Sequence, residues 1–352
     1  PTTAPAVQAD SFSGAGTSVQ GSKTFHVASV EAYSSWTTAA SGYTMEALGP
    51  DYLSEGLYYR ASGEDPWKSE IPQTFTTLYV KTAGDNTVMT AEQMKAVADA
   101  VKALATPATV DFSEVVYESE TFPNSFKSNA NLAGIVFPQN VTKTASAAFQ
   151  KTGMTSVTLL KGISYGSNAF DSCASLVSVT VEEGVTEIGN YMFQNTKLTD
   201  VTLPNSVTKI GASAFNGCSL TTINFGQGVK TIENSAFQNC GELTEIILPD
   251  ATETLGQNAF GDCPKLAKIS LGKNMKTLEA YCFVGYSKGC PLLGDIICRA
   301  TTPPTLKDDY GTGPFGGDWS PVAGKDVPAE NRIIHLPKSA DPVGSLRRLF
   351  VG

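Results

Sequence analysis

The sequence predicts a repeat solenoid, mainly β, built of stacked parallel strands with little helix. Three observations predict it: a phenylalanine returning every 21–23 residues, an alternating apolar strand locked to it, and a second apolar pair at a fixed place in each unit. Self-similarity at such a period marks an architecture of stacked units.

The phenylalanines are Phe126, Phe149, Phe170, Phe193, Phe215, Phe237, Phe260 and Phe283, and the residue before most of them is small (Ala148, Ala169, Ala214, Ala236, Ala259, Cys282). Aligned on this column, Leu176-x-x-Val179-x-Val181, Leu198-x-x-Val201-x-Leu203, Leu220-x-x-Ile223-x-Phe225, Leu243-x-x-Ile246-x-Leu248 and Leu266-x-x-Ile269-x-Leu271 share one pattern. Weaker copies begin at Leu132, Met154 and Leu293, and a third column holds Val185/Ile188, Val207/Ile210, Val229/Ile232 and Met275/Leu278. One unit cannot bury its own apolar side, whereas stacking places Leu on Leu and Phe on Phe. At about 4.8 Å per strand, the units make a rod roughly 40 Å long.

The unit Leu198-Thr-Asp-Val-Thr-Leu-Pro-Asn-Ser-Val-Thr-Lys-Ile-Gly-Ala-Ser-Ala-Phe-Asn-Gly-Cys218 resembles the BspA-type leucine-rich repeat, common in surface proteins of Bacteroidetes. The resemblance covers about residues 107–298. It implies a solenoid of leucine-rich-repeat type in a secreted or cell-surface protein, several relatives being adhesins for host glycoproteins or other microbes. Two units depart from the pattern, with Gly162-Ile163-Ser164-Tyr165 and Ala251-Thr252-Glu253-Thr254-Leu255 in place of Val-x-x-Ile.

The rod's ends need covers. Thr90-Ala91-Glu92-Gln93 is a capping box, and Met94, Val97, Val101 and Leu104 share one helical face, so residues 90–106 form a cap helix. Repeats of about 22–23 residues fill 107–299. Residues 300–352 hold a loop and a C-terminal cap, with a strand at Arg332–Pro337 and a short helix around 341–349. Residues 23–89 carry no repeat and read as a small β-rich module, with a strand at Leu78-Tyr79-Val80 and a turn at Gly84-Asp85-Asn86. Residues 1–22, opening Pro1-Thr2-Thr3-Ala4-Pro5, read as a trimmed, flexible tether.

The 352 residues are 41% hydrophobic and 17% charged, with a formal net charge of −9. That balance argues against nucleic acid and anionic membrane surfaces as partners. The apolar runs are too short to span a bilayer.

Chemistry has few footholds. His26 and His335 lie at opposite ends of the sequence and do not suggest a shared catalytic or metal site. Seven cysteines include no Cys-x-x-Cys pair. Cys173, Cys218, Cys240 and Cys263 follow their Phe by three residues, and Cys290 joins them if an insertion at Tyr286-Ser287-Lys288 is allowed. Stacked in register, they point the same way and read as buried side chains rather than disulfides. Asp308-Asp309-Tyr310-Gly311-Thr312-Gly313, with Asp318, lacks the spacing of a calcium loop. No catalytic residue, cofactor or metal is expected.

The strand face remains. Its outward columns run Ser156, Ser178, Asp200, Thr222, Glu245, Lys268, Asp295 and Thr158, Thr180, Thr202, Asn224, Ile247, Ser270, Ile297. Within them Asp200, Thr202, Thr222, Asn224, Glu245, Ile247, Lys268 and Ser270 are the candidate ligand face, presented to a protein or glycoprotein. A second reading is a glycan-binding accessory protein in which Trp36 and Trp67 stack on sugar rings, with six tyrosines (Tyr33, Tyr43, Tyr52, Tyr58, Tyr59, Tyr79) nearby. A third, a hydrolase within 23–89, would need a cleft joining Glu46, Asp51, Glu55, Glu64 and Asp65.

Overall fold

A computed structural model describes residues 56–83, 87–284 and 289–307, together with the strand placement of Thr24–Val27, Thr44–Ala47 and Ile333–His335. The tether, Trp36, Tyr33, Tyr43, Tyr52, Asp51, Glu55, the turn at 84–86, the insertion at 286–288, the Asp308–Asp318 segment and the helix near 341–349 lie outside the described residues.

About eight coils stack into a β-solenoid with one front strand per coil, preceded by three further strands in the same sheet as the first. In chain order the front strands are β1 Gly56–Arg60, β2 Thr77–Ala83, β3 Ala108–Glu114, β4 Leu132–Val136, β5 Ser156–Leu159, β6 Ser178–Val181, β7 Asp200–Thr202, β8 Thr222–Asn224, β9 Glu245–Ile247, β10 Lys268–Leu271 and β11 Asp295–Cys298. Apart from the antiparallel pair β1–β2, all the front pairings are parallel. The one described helix, α1 Ala91–Lys102, is the crossover between β2 and β3, as a parallel pair requires. Its capping box is present, with the Thr90 side chain accepting from the Gln93 N–H and the Gln93 side chain from the Thr90 N–H. Met94, Val97 and Val101 are buried beneath it. Asn129 of the first coil donates to Ala98 O (2.9 Å), and Asn131 donates to Lys102 O (3.1 Å) and Leu104 O (2.8 Å). These bonds satisfy carbonyls at the helix C-terminus and tie the cap to the rod.

On the back, two-residue rungs from Glu187–Ile188 to Thr305–Leu306 form one six-stranded parallel sheet. The front is divided instead into β1–β2–β3–β4, β5–β6, β7–β8 and β9–β10–β11, the last extended by Ile333–His335. Residues 56–83 therefore continue the repeat sheet, although their sequence carries no repeat.

The phenylalanine corner joins the coils. From Phe149 to Phe260, each ring stacks on the next with centroids 5.2–5.7 Å apart, and Phe260–Phe283 follows at 6.4 Å. Each Phe N–H donates to the carbonyl of the residue before the next Phe, from Phe149→Ala169 (2.9 Å) to Phe260→Cys282 (2.8 Å). The residues two before and two after each Phe donate along the axis as well, for example Ala147→Ser167 and Lys151→Asp171. Aiming alternate amides along the rod puts both flanking residues in the left-handed region in six successive coils: Ala147/Lys151, Asn168/Ser172, Tyr191/Asn195, Ser213/Gly217, Ser235/Asn239 and Asn258/Asp262, with φ of 54–71°.

The departing units keep this geometry by substitution. Thr252 is fully buried where other coils have Val, and its hydroxyl donates to Val229 O (2.9 Å). Tyr165 lies beside Phe137 and Phe170, and its hydroxyl accepts from the Leu160 N–H (3.1 Å).

Removing a mid-rod ring opens a cavity between two coils. Phe237→Ala should cost about 3–5 kcal/mol in urea unfolding. Tyr191 is exposed and adopts φ 56°, a conformation that asparagine tolerates better. Tyr191→Asn should therefore raise stability by up to about 1 kcal/mol in the same assay.

Candidate binding face

Alternation along the front strands turns the predicted columns to solvent, and most of the candidates follow it. Asp200, Thr202, Thr222, Asn224, Glu245 and Ile247 are exposed, Ile247 at 59%. Lys268 is half-buried and bonds Glu245 of the preceding coil (2.9 Å), a contact that raises the lysine's pKa. Ser270 corrects the expectation. It is only 7% exposed, because Ile247 and Ile297 flank it in register and overshadow the short side chain.

Thr222, Asn224, Glu245 and Ile247 line a groove of about 490 Å³ between β8 and β9. Arg299 closes one end and is fully engaged: Nη1 meets Asp250 (3.0 Å), Nη2 donates to Leu248 O (2.6 Å) and Nε to Leu271 O (3.1 Å). The Lys273 ammonium bonded to Asp250, with Arg299 beside it, holds that carboxyl below its ordinary pKa.

A second groove of about 410 Å³ lies between β4 and β5. Both grooves sit at breaks in the front ladder, and in both the preceding strand pattern ends in a large aromatic. Phe137 and Phe225 occupy the column held elsewhere by Leu159, Val181, Leu203, Leu248, Leu271 and Cys298. Phe137 meets Phe122 and Phe149 edge-on (5.2 and 5.9 Å), and Phe225 meets Phe237 (5.7 Å). The third break in the front, between β6 and β7, follows Val181 and has no such ring. Sequence reasoning read Phe137 and Phe225 as ordinary strand positions; their size was the available signal.

Sequence reasoning also missed an ion-pair zipper. Glu242, Glu245, Asp250 and Glu253 pair with Lys265, Lys268, Lys273 and Lys276, each 23 residues on. That constant spacing was the signal. Each exposed pair contributes little by itself.

Trp67 is half-buried and already engaged, with the Arg60 guanidinium 4.3 Å and the Lys81 ammonium 5.5 Å from its ring centre. Glu64 and Asp65 are exposed near it in sequence. Among the described residues no group of three or more His, Cys, Asp or Glu is arranged to hold a metal, and no helix is long and apolar enough to cross a membrane.

The cysteine column is a hydrogen-bonded ladder of free, buried thiols. Cys173, Cys218, Cys240, Cys263 and Cys290 donate to the carbonyls of Phe149, Phe193, Phe215, Phe237 and Phe260 (3.0–3.3 Å). Thr152 and Thr196 hold the same column in the coils that lack cysteine, donating to Phe149 O and Phe193 O.

Parallel coils with a Leu-x-x-Ile-x-Leu front strand and a phenylalanine corner define a leucine-rich-repeat solenoid. Residues 116–165 and 163–289 match the BspA type leucine rich repeat region, in six copies. The repeat region of this chain belongs to that family. No curated protein matches it. Among solved structures it is similar to a leucine-rich repeat protein from Eubacterium ventriosum (22% identity, 60% of this chain and 67% of that one, TM-score 0.38). It is also similar to a leucine rich cell surface protein from Faecalibacterium prausnitzii (18%, 71% and 89%, 0.29). A leucine-rich repeat protein from T. pallidum is a third (18%, 63% and 74%, 0.29).

Burial pushes the Cys218 thiol up to about 11 and those of Cys240 and Cys282 well above 9. Between these values and pH 9 the folded chain keeps protons that the unfolded chain releases. The stabilisation is therefore complete below about pH 9 and fades as pH rises toward 11. Urea midpoints should fall from pH 8 to pH 10 more steeply in the parent than in Cys218→Ala. Alkylation of native protein at pH 8 should modify few thiols until it unfolds.

Proposed function

We propose that this is a cell-surface binding protein whose solenoid front engages a protein or glycoprotein ligand across β7 to β10. The observation carrying this reading is Ile247, among the described residues the most exposed of the large hydrophobic side chains, standing in the β8–β9 groove among Thr222, Asn224 and Glu245. A strand residue of that size left in water has a rim of hydrogen-bonding groups around it, the arrangement of an interface anchor. Asp200 and Thr202 extend the polar field toward the N-terminal end. Membership of a repeat family that is commonly surface-associated supports the location.

The test is binding of the purified chain to immobilised matrix proteins and mucins, beside a glycan array. Ile247→Asp should lower affinity tenfold or more for the protein it binds, with circular dichroism unchanged because the side chain is already solvated. Undiminished binding by that variant, or binding confined to free glycans, would remove the front-face reading.

A further inference from the structure

The cleft between β4 and β5 lies at one of three breaks in the front ladder, and its lining sets it apart. Within the front sheets the coils are joined where the strands begin: Val177 donates to Thr155 O (3.0 Å), Thr221 to Thr199 O (2.8 Å) and Ala267 to Thr244 O (2.9 Å). Among the described residues the breaks at β6–β7 and β8–β9 lack this bond, and no such bond links β4 to β5. β4 pairs only with β3, and β5 only with β6, so two parallel strand edges face one opening.

Its floor is apolar. Ile135 and Val157 hold the column that is buried at Val201, Ile246, Ile269 and Ile296 and half-buried at Val179 and Ile223, and both are partly exposed here, as are Phe137 and Tyr165. The rim is short and neutral, with Thr109, Ser156 and Thr158, and Val136 stands beside it at 42% exposure. None of the lining residues carries a charge. Burial pushes the Tyr165 hydroxyl up to about 12, so it too stays neutral at ordinary pH.

Resting on the reading of the front as a protein-binding face, we propose that this cleft receives a short, uncharged, extended segment of the partner protein. Its backbone would bond an open strand edge, and an apolar side chain would lie over Ile135 and Val157. An extended chain carries both features that the cleft lacks: strand-spaced donors and acceptors, and alternating side chains that reach the floor. An anionic ligand would find no cation in the lining, and a sugar no side-chain amide or carboxylate. A purely apolar ligand would leave the strand edges unmet.

The probe is the pentapeptide Thr-Val-Thr-Val-Thr, acetylated and amidated, against the full chain by calorimetry and amide hydrogen exchange. One comparison peptide is N-methylated at alternate residues, and another carries Lys in place of both Val. The parent should bind the neutral peptide and slow exchange in β4 and β5, and both altered peptides should bind at least tenfold more weakly. Thr158→Lys, at an exposed rim position, should weaken binding similarly, while Lys230→Gln on another part of the surface should not. Phe137→Leu, which removes the ring, should weaken it as well. No binding of the neutral peptide overturns the proposal, as does equal binding by the N-methylated peptide or by Thr158→Lys. A chain that holds a matrix protein through Ile247 but ignores the peptide loses the cleft alone. A chain that binds the peptide in the cleft but no surface protein loses the broader reading instead.

Discussion

Each phenylalanine corner sends three amides along the rod to the next coil, and the rest of the structure depends on this ladder. An amide buried in the corner has no water to bond, so the next coil must sit at hydrogen-bond distance and in register. That requirement brings the rings to within 5.2–5.7 Å of one another through most of the rod and places two left-handed residues in coil after coil. It also explains the cysteine column. The Phe carbonyl turns inward at the end of the corner, and a thiol or threonine hydroxyl three residues later, or in the next coil, reaches it without introducing a charge.

The ladder runs on one side of the rod and the six-stranded sheet on the back, so these two seams fix the coil spacing. The front strands inherit that spacing only where their own side chains permit it. Two of the three junctions where the front parts follow a large aromatic, Phe137 or Phe225; the third, between β6 and β7, follows Val181. A rod held along two seams can afford local gaps on its third side, because the backbone groups freed there face solvent instead of the core. The two grooves lie at the breaks where a ring occupies an otherwise aliphatic column.

What the sequence made legible follows from this division. The apolar columns are period-locked, so Phe237, Leu243 and Ile246 could be placed in the core by spacing alone. The left-handed corners were less visible: Asn195, Gly217 and Asn239 suit them, but Lys151 and Tyr191 carry no such mark, since their conformation is imposed by the ladder. Alternation placed Ile247 outside correctly and Ser270 outside wrongly, because it gives a side chain's direction and not the reach of its neighbours. Threonine in the cysteine column was hidden by a search for identical residues where the shared feature is a small donor. The strand at Leu78-Tyr79-Val80 was legible, but its joining the repeat sheet was not, because β2 pairs with β3 with no copy of the repeat. The grooves depend on distances between coils, which no single unit encodes.

Repetition brings its own hazard: if every coil offers the same columns, any coil can stack on any other. Features specific to one junction limit this. Asn129 bonds the carbonyl of Ala98 and so belongs next to α1, while Arg299 bridges the carbonyls of Leu248 and Leu271 and belongs at the far end. Between them, Glu242, Glu245, Asp250 and Glu253 face four lysines on the following coil. Each pair adds little stability in water, but a misplaced stack that set the lysine coil against another copy of its own face would bring four like charges together. The zipper thus contributes less to how tightly these two coils pack than to which two coils pack, information that the shared hydrophobic columns cannot carry.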